Sequence, residues 1–136
     1  MGLLNSDIAD VMSRLGHINE VIVCDAGFPI SLGVHTADVS LAVNQPTVAE
    51  VIAVLLPDFS LERVVLADET REHSPSMFAR LTGMFGAGVV IDTMPHTAFK
   101  QHSKTVKAII RTGDFTAYSN IVLVSAGGPR WLVEKP

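Results

Sequence analysis

Short apolar runs recur along the chain, and their Val, Ile and Leu content is typical of strands buried on both faces of a sheet. Three of these runs are EVIVCDAG, RVVLAD and GVVID. A fourth region, KAIIRTGDFTAYSNIVLVSAG at 107–127, predicts two strands joined by a polar loop that contains Gly113 and Asn120. A weaker alternation in ADVSLAV at 37–43 predicts a further strand.

Helical periodicity separates these runs, beginning near the N-terminus. The apolar stripe of the first predicted helix consists of Ile8, Val11, Met12 and Leu15. Ser6 is placed to cap the start of this helix, and Gly16 is placed to close it in a left-handed conformation.

Three later segments also predict helices. PTVAEVIAVLL carries Thr47 and Glu50 at the spacing of a capping box, followed by a strongly apolar stretch. SPSMFARLTGMFG offers Ser74 as a cap and Pro75 at the first helical position. HTAFKQHSK is a shorter candidate.

Apolar strands that alternate with helices predict βαβ units and a mostly parallel sheet. We therefore expect an α/β fold, formed by a single three-layer domain over residues 1–136 with helices flanking the sheet. The tail at 127–136 carries an apolar Trp-Leu-Val segment. Two interpretations stay open for this tail, packing on a neighbouring subunit and folding back on its own chain.

Composition narrows the class of protein. The formal net charge is −4 and no basic run occurs, so we expect no nucleic-acid partner. No apolar stretch reaches the length of a membrane span, and the N-terminus lacks the pattern of a signal peptide. The single Cys24 excludes an internal disulfide and favours a reducing compartment, so we expect a cytoplasmic protein without a membrane association.

Polar residues cluster where the predicted strands end, which is where ligands bind in open α/β sheets. Asp25 ends the first run, Asp68 and Glu69 end the second, and 92–96 end the third. His17 instead precedes the first strand, so a strand of about 17 Å separates it from Asp25 within one chain.

Position alone favours modest roles for both residues. His17 is placed to cap the carbonyls at a helix end, and Asp25 is placed to organise an Asx turn. The segment FTAYSN holds the only tyrosine of the chain, and it is interpreted either as a turn or as a hydroxyl and an amide aimed at a polyhydroxylated ligand. No spacing of His, Cys or Glu predicts a metal site, and no glycine-rich loop predicts a nucleotide cofactor.

Five segments together carry a family resemblance. GLLNS, LGHINEVIVCDAGFPI, RVVLADE, HTAFK and AIIRTGDFTAYSN resemble the D-ribose pyranase and fucose mutarotase family, in the family's order and at roughly its separations. The resemblance covers the chain to about Ala126 and is greater to the ribose pyranase branch. It departs at Ala117, where the family usually has proline.

The resemblance implies an isomerase that interconverts cyclic forms of a free monosaccharide, with ribose favoured, and that needs no cofactor. It implies that His17 is the catalytic acid or base. It also implies a substrate-binding set, namely Asp25, His96, Tyr118, Ser119 and Asn120.

The resemblance further implies a homo-oligomer built as a pentamer-based ring, often a decamer, with sites between subunits. Such an assembly would let His17 meet Asp25 or Tyr118 across an interface. Two alternatives stay open at this point. One is a mutarotase for L-fucose or another sugar, and the other is a non-catalytic sugar-binding subunit associated with transport.

Overall fold

The computed structural model describes residues 3–127, 132 and 134 and contains one six-stranded sheet with the strand order β2-β5-β1-β6-β3-β4. The strands are β1 (Glu20–Cys24), β2 (Thr36–Asp38), β3 (Leu61–Ala67), β4 (Val90–Met94), β5 (Ala108–Arg111) and β6 (Ile121–Ser125). The helices are α1 (Ser6–Ser13), α2 (Val48–Leu55) with a 3-10 turn at Leu56–Asp58, α3 (Asp68–His73), α4 (Pro75–Thr82) and α5 (His96–His102).

Five of these strands point in the same direction. β2, β5 and β1 pair in parallel, as do β3 and β4, whereas β6 is antiparallel to both β1 and β3. The prediction of a mostly parallel sheet is confirmed, and β6 makes the sheet mixed. The antiparallel strand follows β5 through the polar loop at 112–120, which therefore lies at the edge where the parallel strands end.

Alternate side chains of the strands form two separate apolar cores, one on each face of the sheet. On one face, strand residues such as Val23 and Leu66 pack against α1 and α2. On the other face, Ile22 and Val122 pack with Phe28 and with Phe99 of α5. Helices therefore flank both faces, as the apolar runs predict.

The helix starts are close to their predicted positions. Thr47 and Glu50 form the predicted capping box of α2. The cap of α1 is Asn5 and not Ser6, because the Asn5 side chain accepts the Ile8 N–H. Ser74 precedes α4 as predicted, but its side chain makes no capping hydrogen bond.

Three further expectations are wrong. Gly16 is not left-handed; the positive φ of 57° belongs to Ile18, two residues later. The strand predicted at 37–43 ends at Asp38, because the following residues fold into a tight loop in which Gln45 O accepts the N–H of Leu41. Asp92 does not follow a strand but lies within β4, where its carboxylate pairs with Arg63 at 3.0 Å.

None of the helices in the described part of the chain is long and apolar enough to cross a bilayer. Most of the tail at 127–136 lies outside the described residues, so the two interpretations of that tail remain predictions.

Candidate active site

Polar side chains from four loops meet at one edge of the sheet. Asp25 follows β1, Glu69 follows β3 and His96 follows β4, while Tyr118 and Asn120 lie between β5 and β6. The loops share this edge because β1, β3, β4 and β5 end there and the antiparallel β6 begins there. The topology thus gathers most of the predicted site residues at the edge where α/β sheets bind ligands.

Asp25 is held in a partly buried turn. Its Oδ1 accepts a hydrogen bond from Gly27 N–H at 3.1 Å, and its own N–H donates to Asn120 Oδ1 at 2.8 Å. Burial raises the pKa of the Asp25 carboxyl above its ordinary value of 3.8, although hydrogen bonds from Gly27 and Asn120 oppose that shift. The carboxyl therefore holds a proton more readily than an exposed aspartate does.

Arg111, at the end of β5, fixes the same turn from the other side. Its Nε and Nη2 both donate to the carbonyl of Ala26, at 3.0 and 2.6 Å, and its Nη1 donates to Asp38 at 2.9 Å. The Ala26 N–H donates to Asp114 O at 2.8 Å. Sequence reasoning missed Arg111, although a lone guanidinium closing the apolar run KAIIR was a usable signal.

His96 is the first residue of α5 and lies among rings. Its backbone N–H donates to Glu69 Oε1 at 2.9 Å. Its ring meets the Tyr118 ring edge-on, with centroids 5.0 Å apart at 86°, and lies 6.3 Å from the Phe28 ring. Burial lowers the pKa of His96 below 6.5 and the charge of Lys100 acts in the same direction, against Glu69 and Asp25. The imidazole is therefore neutral near neutral pH.

The two ring nitrogens of His96 differ in their surroundings. Nδ1 is buried and has no hydrogen-bond partner among the described residues. A proton on Nδ1 would be an orphaned buried donor, which is rare in native proteins. We therefore expect the ring proton on Nε2, which makes His96 a hydrogen-bond donor through that atom.

The segment 118–120 uses its three side chains differently. Tyr118 is partly buried and adopts a left-handed backbone with a φ of 60°. The Ser119 hydroxyl is fully buried and donates to Thr116 O at 2.9 Å, so it braces the loop. Asn120 is 1 % exposed and holds Asp25.

His17 lies at the opposite edge of the sheet. It is exposed and follows α1, and its neighbour Ile18 donates its N–H to Ser125 O at 2.9 Å. His17 borders a cavity of about 190 Å³ that also touches Asp58. All five residues of β1 separate it from Asp25, about 17 Å of extended chain. A single chain thus brings together the other predicted site residues but not His17.

A larger cavity of about 500 Å³ opens beside Asp25, toward β5 and β2, and Arg111 contributes to its wall. Leu41, Val43 and Phe115 also line it and are 83, 62 and 67 % exposed. Three large apolar side chains in solvent around one cleft are unusual for a monomer surface.

The described residues include neither a candidate metal cluster nor a reactive thiol. No group of three or more His, Cys, Asp or Glu there is arranged to hold a metal ion. Cys24 is buried, and burial raises the pKa of its thiol to about 12, so the thiol is a core side chain rather than a nucleophile.

Curated relatives share sequence with nearly the whole chain. D-ribose pyranase of Chromobacterium violaceum is 40 % identical over 124 residues, which are 91 % of this chain and 94 % of the relative. D-ribose pyranase of Halalkalibacterium halodurans is 39 % identical over the same shares of both chains.

Solved structures match the fold. The structure of Bacillus subtilis RbsD complexed with D-ribose has a TM-score of 0.88 and 34 % identity, covering 93 % of this chain and 95 % of that chain. The fucose mutarotase of Streptococcus pneumoniae in complex with L-fucose has a TM-score of 0.67 at 17 % identity, covering 90 and 92 %, which shows a shared fold alone. Residues 1–127 match the RbsD / FucU transport protein family, and the chain belongs to that family.

Proposed function

We propose that this chain is an isomerase that interconverts the cyclic forms of a free monosaccharide by acid–base catalysis, with D-ribose as its substrate. The reaction converts the β-pyranose form to the β-furanose form and needs no cofactor. One observation carries the proposal: Asp25, His96, Tyr118 and Asn120 converge at one sheet edge in a chain that is 40 % identical to a D-ribose pyranase.

The chemistry requires two proton transfers and no redox step. Opening the pyranose removes a proton from the anomeric hydroxyl and delivers one to the ring oxygen, as the bond between the anomeric carbon and that oxygen breaks. Closing on the neighbouring hydroxyl of the open chain reverses both transfers and gives the furanose. Positioned acid–base groups typically contribute about 10²- to 10⁴-fold to such steps.

The sheet-edge residues suit the binding of a neutral polyol. The Asp25 carboxylate accepts hydrogen bonds from sugar hydroxyls, and its raised pKa brings it closer to the range useful for proton transfer. His96 donates through Nε2, and Tyr118 adds a phenol beside it. Asn120 orients Asp25, and Ser119 contributes through its main chain because its hydroxyl is bonded to Thr116.

His17 takes the catalytic acid role from a second copy of the chain. The length of β1 keeps His17 away from Asp25 within one chain, so a shared site requires an interface. Ile18, beside His17, is 72 % exposed in a left-handed conformation that is strained for a β-branched residue. The exposed apolar side chains Leu41, Val43 and Phe115 around the Asp25 cavity offer a surface for such a contact.

The assembly proposed is a homo-oligomer, a pentamer or a decamer, with each site formed between subunits. The location proposed is the cytoplasm, in keeping with a single buried Cys24 that has no partner for a disulfide. Light scattering of the purified chain tests the assembly, and a monomer at micromolar concentration would contradict it.

NMR line shapes of free sugars test the function. Protein should broaden the ribose signals by exchange between pyranose and furanose forms and leave L-fucose much less affected. If the protein accelerates the exchange of L-fucose forms and not of ribose forms, the substrate is fucose and the ribose proposal fails. Binding of ribose without faster exchange would show a non-catalytic sugar-binding protein instead.

A further inference from the structure

Tyr118 has a backbone conformation that needs support. Its φ of 60° lies in the left-handed region, which residues other than glycine rarely occupy. Such a conformation persists only where the surrounding structure fixes it, and such residues concentrate at functional sites. The question is which groups hold Tyr118 in place.

Two hydroxyls from the junction of α3 and α4 bind successive carbonyls of the Tyr118 loop. The Thr70 Oγ1 donates to Tyr118 O at 2.5 Å, and the Ser74 Oγ donates to Ala117 O at 2.7 Å. Thr70 is fully buried, and its carbonyl accepts the Ser74 N–H at 2.9 Å. The two donors are therefore themselves coupled within one helix end.

A third residue of the same junction contacts the Tyr118 ring. The His73 ring lies 5.7 Å from the Tyr118 ring, tilted by 30°, and His73 is exposed. The Tyr118 ring also meets the His96 ring edge-on, with centroids 5.0 Å apart. The phenol thus contacts two imidazoles, and only His96 belongs to the site described above.

We propose that the segment 70–74 is a positioning device for the sugar site, in which Thr70 and Ser74 hold the Tyr118 backbone and His73 fixes the direction of its ring. The three residues act through Tyr118 and do not touch the sugar. The functional consequence rests on the proposed role of Tyr118 as a sugar contact.

The local sequence fits this division of labour. Ala117 places no ring constraint on φ in the loop, so the restraint on its carbonyl comes from outside, from Ser74. Ser74 precedes α4 but makes no capping hydrogen bond with its side chain. Its hydroxyl donates a hydrogen bond to the loop that holds Tyr118 instead of capping α4.

The single tyrosine of the chain gives a direct readout, because ring-labelled tyrosine yields the NMR signals of Tyr118 alone. We expect Thr70→Val and Ser74→Ala to shift those signals and to raise KM for ribose by about fivefold, the effect of one hydrogen bond, with kcat less affected. Thr70→Ser keeps the hydroxyl and should therefore leave both the Tyr118 signals and KM at their wild-type values. His73→Ala should shift the ring signals and raise KM in the same sense.

Thr82→Val is the matched control. Thr82 Oγ1 donates to the Phe78 carbonyl within α4 at 2.8 Å, and so its hydrogen bond does not involve the Tyr118 loop. It should leave the Tyr118 signals and KM unchanged. Folded Ser74→Ala and His73→Ala proteins with wild-type Tyr118 signals would overturn the proposal. A His73→Ala protein that loses kcat at unchanged KM would overturn it as well, because His73 would then act in the chemistry.

The outcome is separable from that of the proposed function. If the wild-type chain does not accelerate ribose exchange, the isomerase proposal fails, whereas the ring signals still report whether the segment 70–74 sets Tyr118.

Discussion

The side-chain oxygen of Asn120 accepts the backbone N–H of Asp25 at 2.8 Å, across 95 residues of sequence. The bond ties the end of β1 to the residue that precedes β6, and Asn120 is buried at the point of contact. The carboxylate of Asp25 is therefore oriented by a side chain from the far end of the chain rather than by its own turn alone.

Asn120→Ala should lower both the stability of the fold and the activity of the sugar site. The change leaves a partly buried Asp25 N–H without its partner, which costs about 1–3 kcal/mol in the free energy of unfolding. Misplacement of Asp25 should lower ribose exchange on the order of tenfold to a hundredfold. Urea unfolding and NMR exchange rates measure the two effects.

Asn5→Ala is the control for that variant. Asn5 caps α1 through a side-chain oxygen that accepts the Ile8 N–H at 2.9 Å, a contact confined to the start of that helix. It should cost about 1 kcal/mol of stability and leave exchange unchanged. Equal losses of exchange in both variants would show that Asn120 supports only the fold.

Asp25→Asn should separate stability from activity. Because burial raises the pKa of Asp25, the folded state prefers the protonated carboxyl, and its stability declines as the pH rises through that raised pKa. The neutral amide avoids this decline, so the variant should match or exceed wild-type stability at neutral pH while ribose exchange falls. The advantage should vanish at acidic pH, where Asp25 is protonated in both states. A variant less stable than wild type at neutral pH, with a constant difference in acid, would contradict this account.

His96 should titrate below the ordinary histidine value of 6.5. The folded state binds a proton on His96 less readily than the unfolded chain does. The contribution of His96 to stability is therefore fully present above pH 6.5 and is lost as the pH falls through the lowered pKa. His96→Gln should remove that part of the acid sensitivity in urea unfolding. Long-range ¹⁵N spectra of the wild type should show a neutral ring with its proton on Nε2; a proton on Nδ1, or a charged ring at neutral pH, would refute the assignment.

Gly113→Ala should disturb the wall of the Asp25 cavity. A Cβ at Gly113 would overlap the carbonyl oxygen of Ala42 and lie 2.8 Å from that of Gln45, both backbone atoms that have little room to move. We expect a loss of about 1–3 kcal/mol in stability and a lower affinity for ribose. Gly86→Ala is the control, because a Cβ there meets nothing within 4 Å. Similar stabilities of the two variants would exclude the overlap.

The sequence predicts most strands of the sheet because they are short apolar runs rich in Val and Ile and bounded by turn residues or helix caps. The same logic fails at 37–43, where only Thr36–Asp38 pair, because a three-residue strand carries little periodicity. It also misses α3, since DETREH follows directly from the end of β3 and has no apolar stripe to mark a helix.

Some residues of the site are also predictable from the sequence, and others are not. Asp25 and His96 are found at strand ends, where topology alone places ligand-binding groups. Thr70 and Ser74 act through backbone carbonyls of a distant loop, and a contact across 40 or more residues leaves no local pattern. The distance between His17 and Asp25 follows from the length of β1, whereas the second chain that we propose to bridge it leaves no pattern within one sequence.

Saturation transfer on D-ribose shows whether the protein exchanges the two ring forms and whether His17 is needed for that exchange. The anomeric signal of the β-pyranose is saturated, and the intensity of the β-furanose signal is followed with and without protein. We expect wild-type protein to transfer saturation to the furanose signal and His17→Ala protein of unchanged assembly not to do so. Transfer no faster than in buffer with the wild type, or undiminished transfer with His17→Ala, would contradict it.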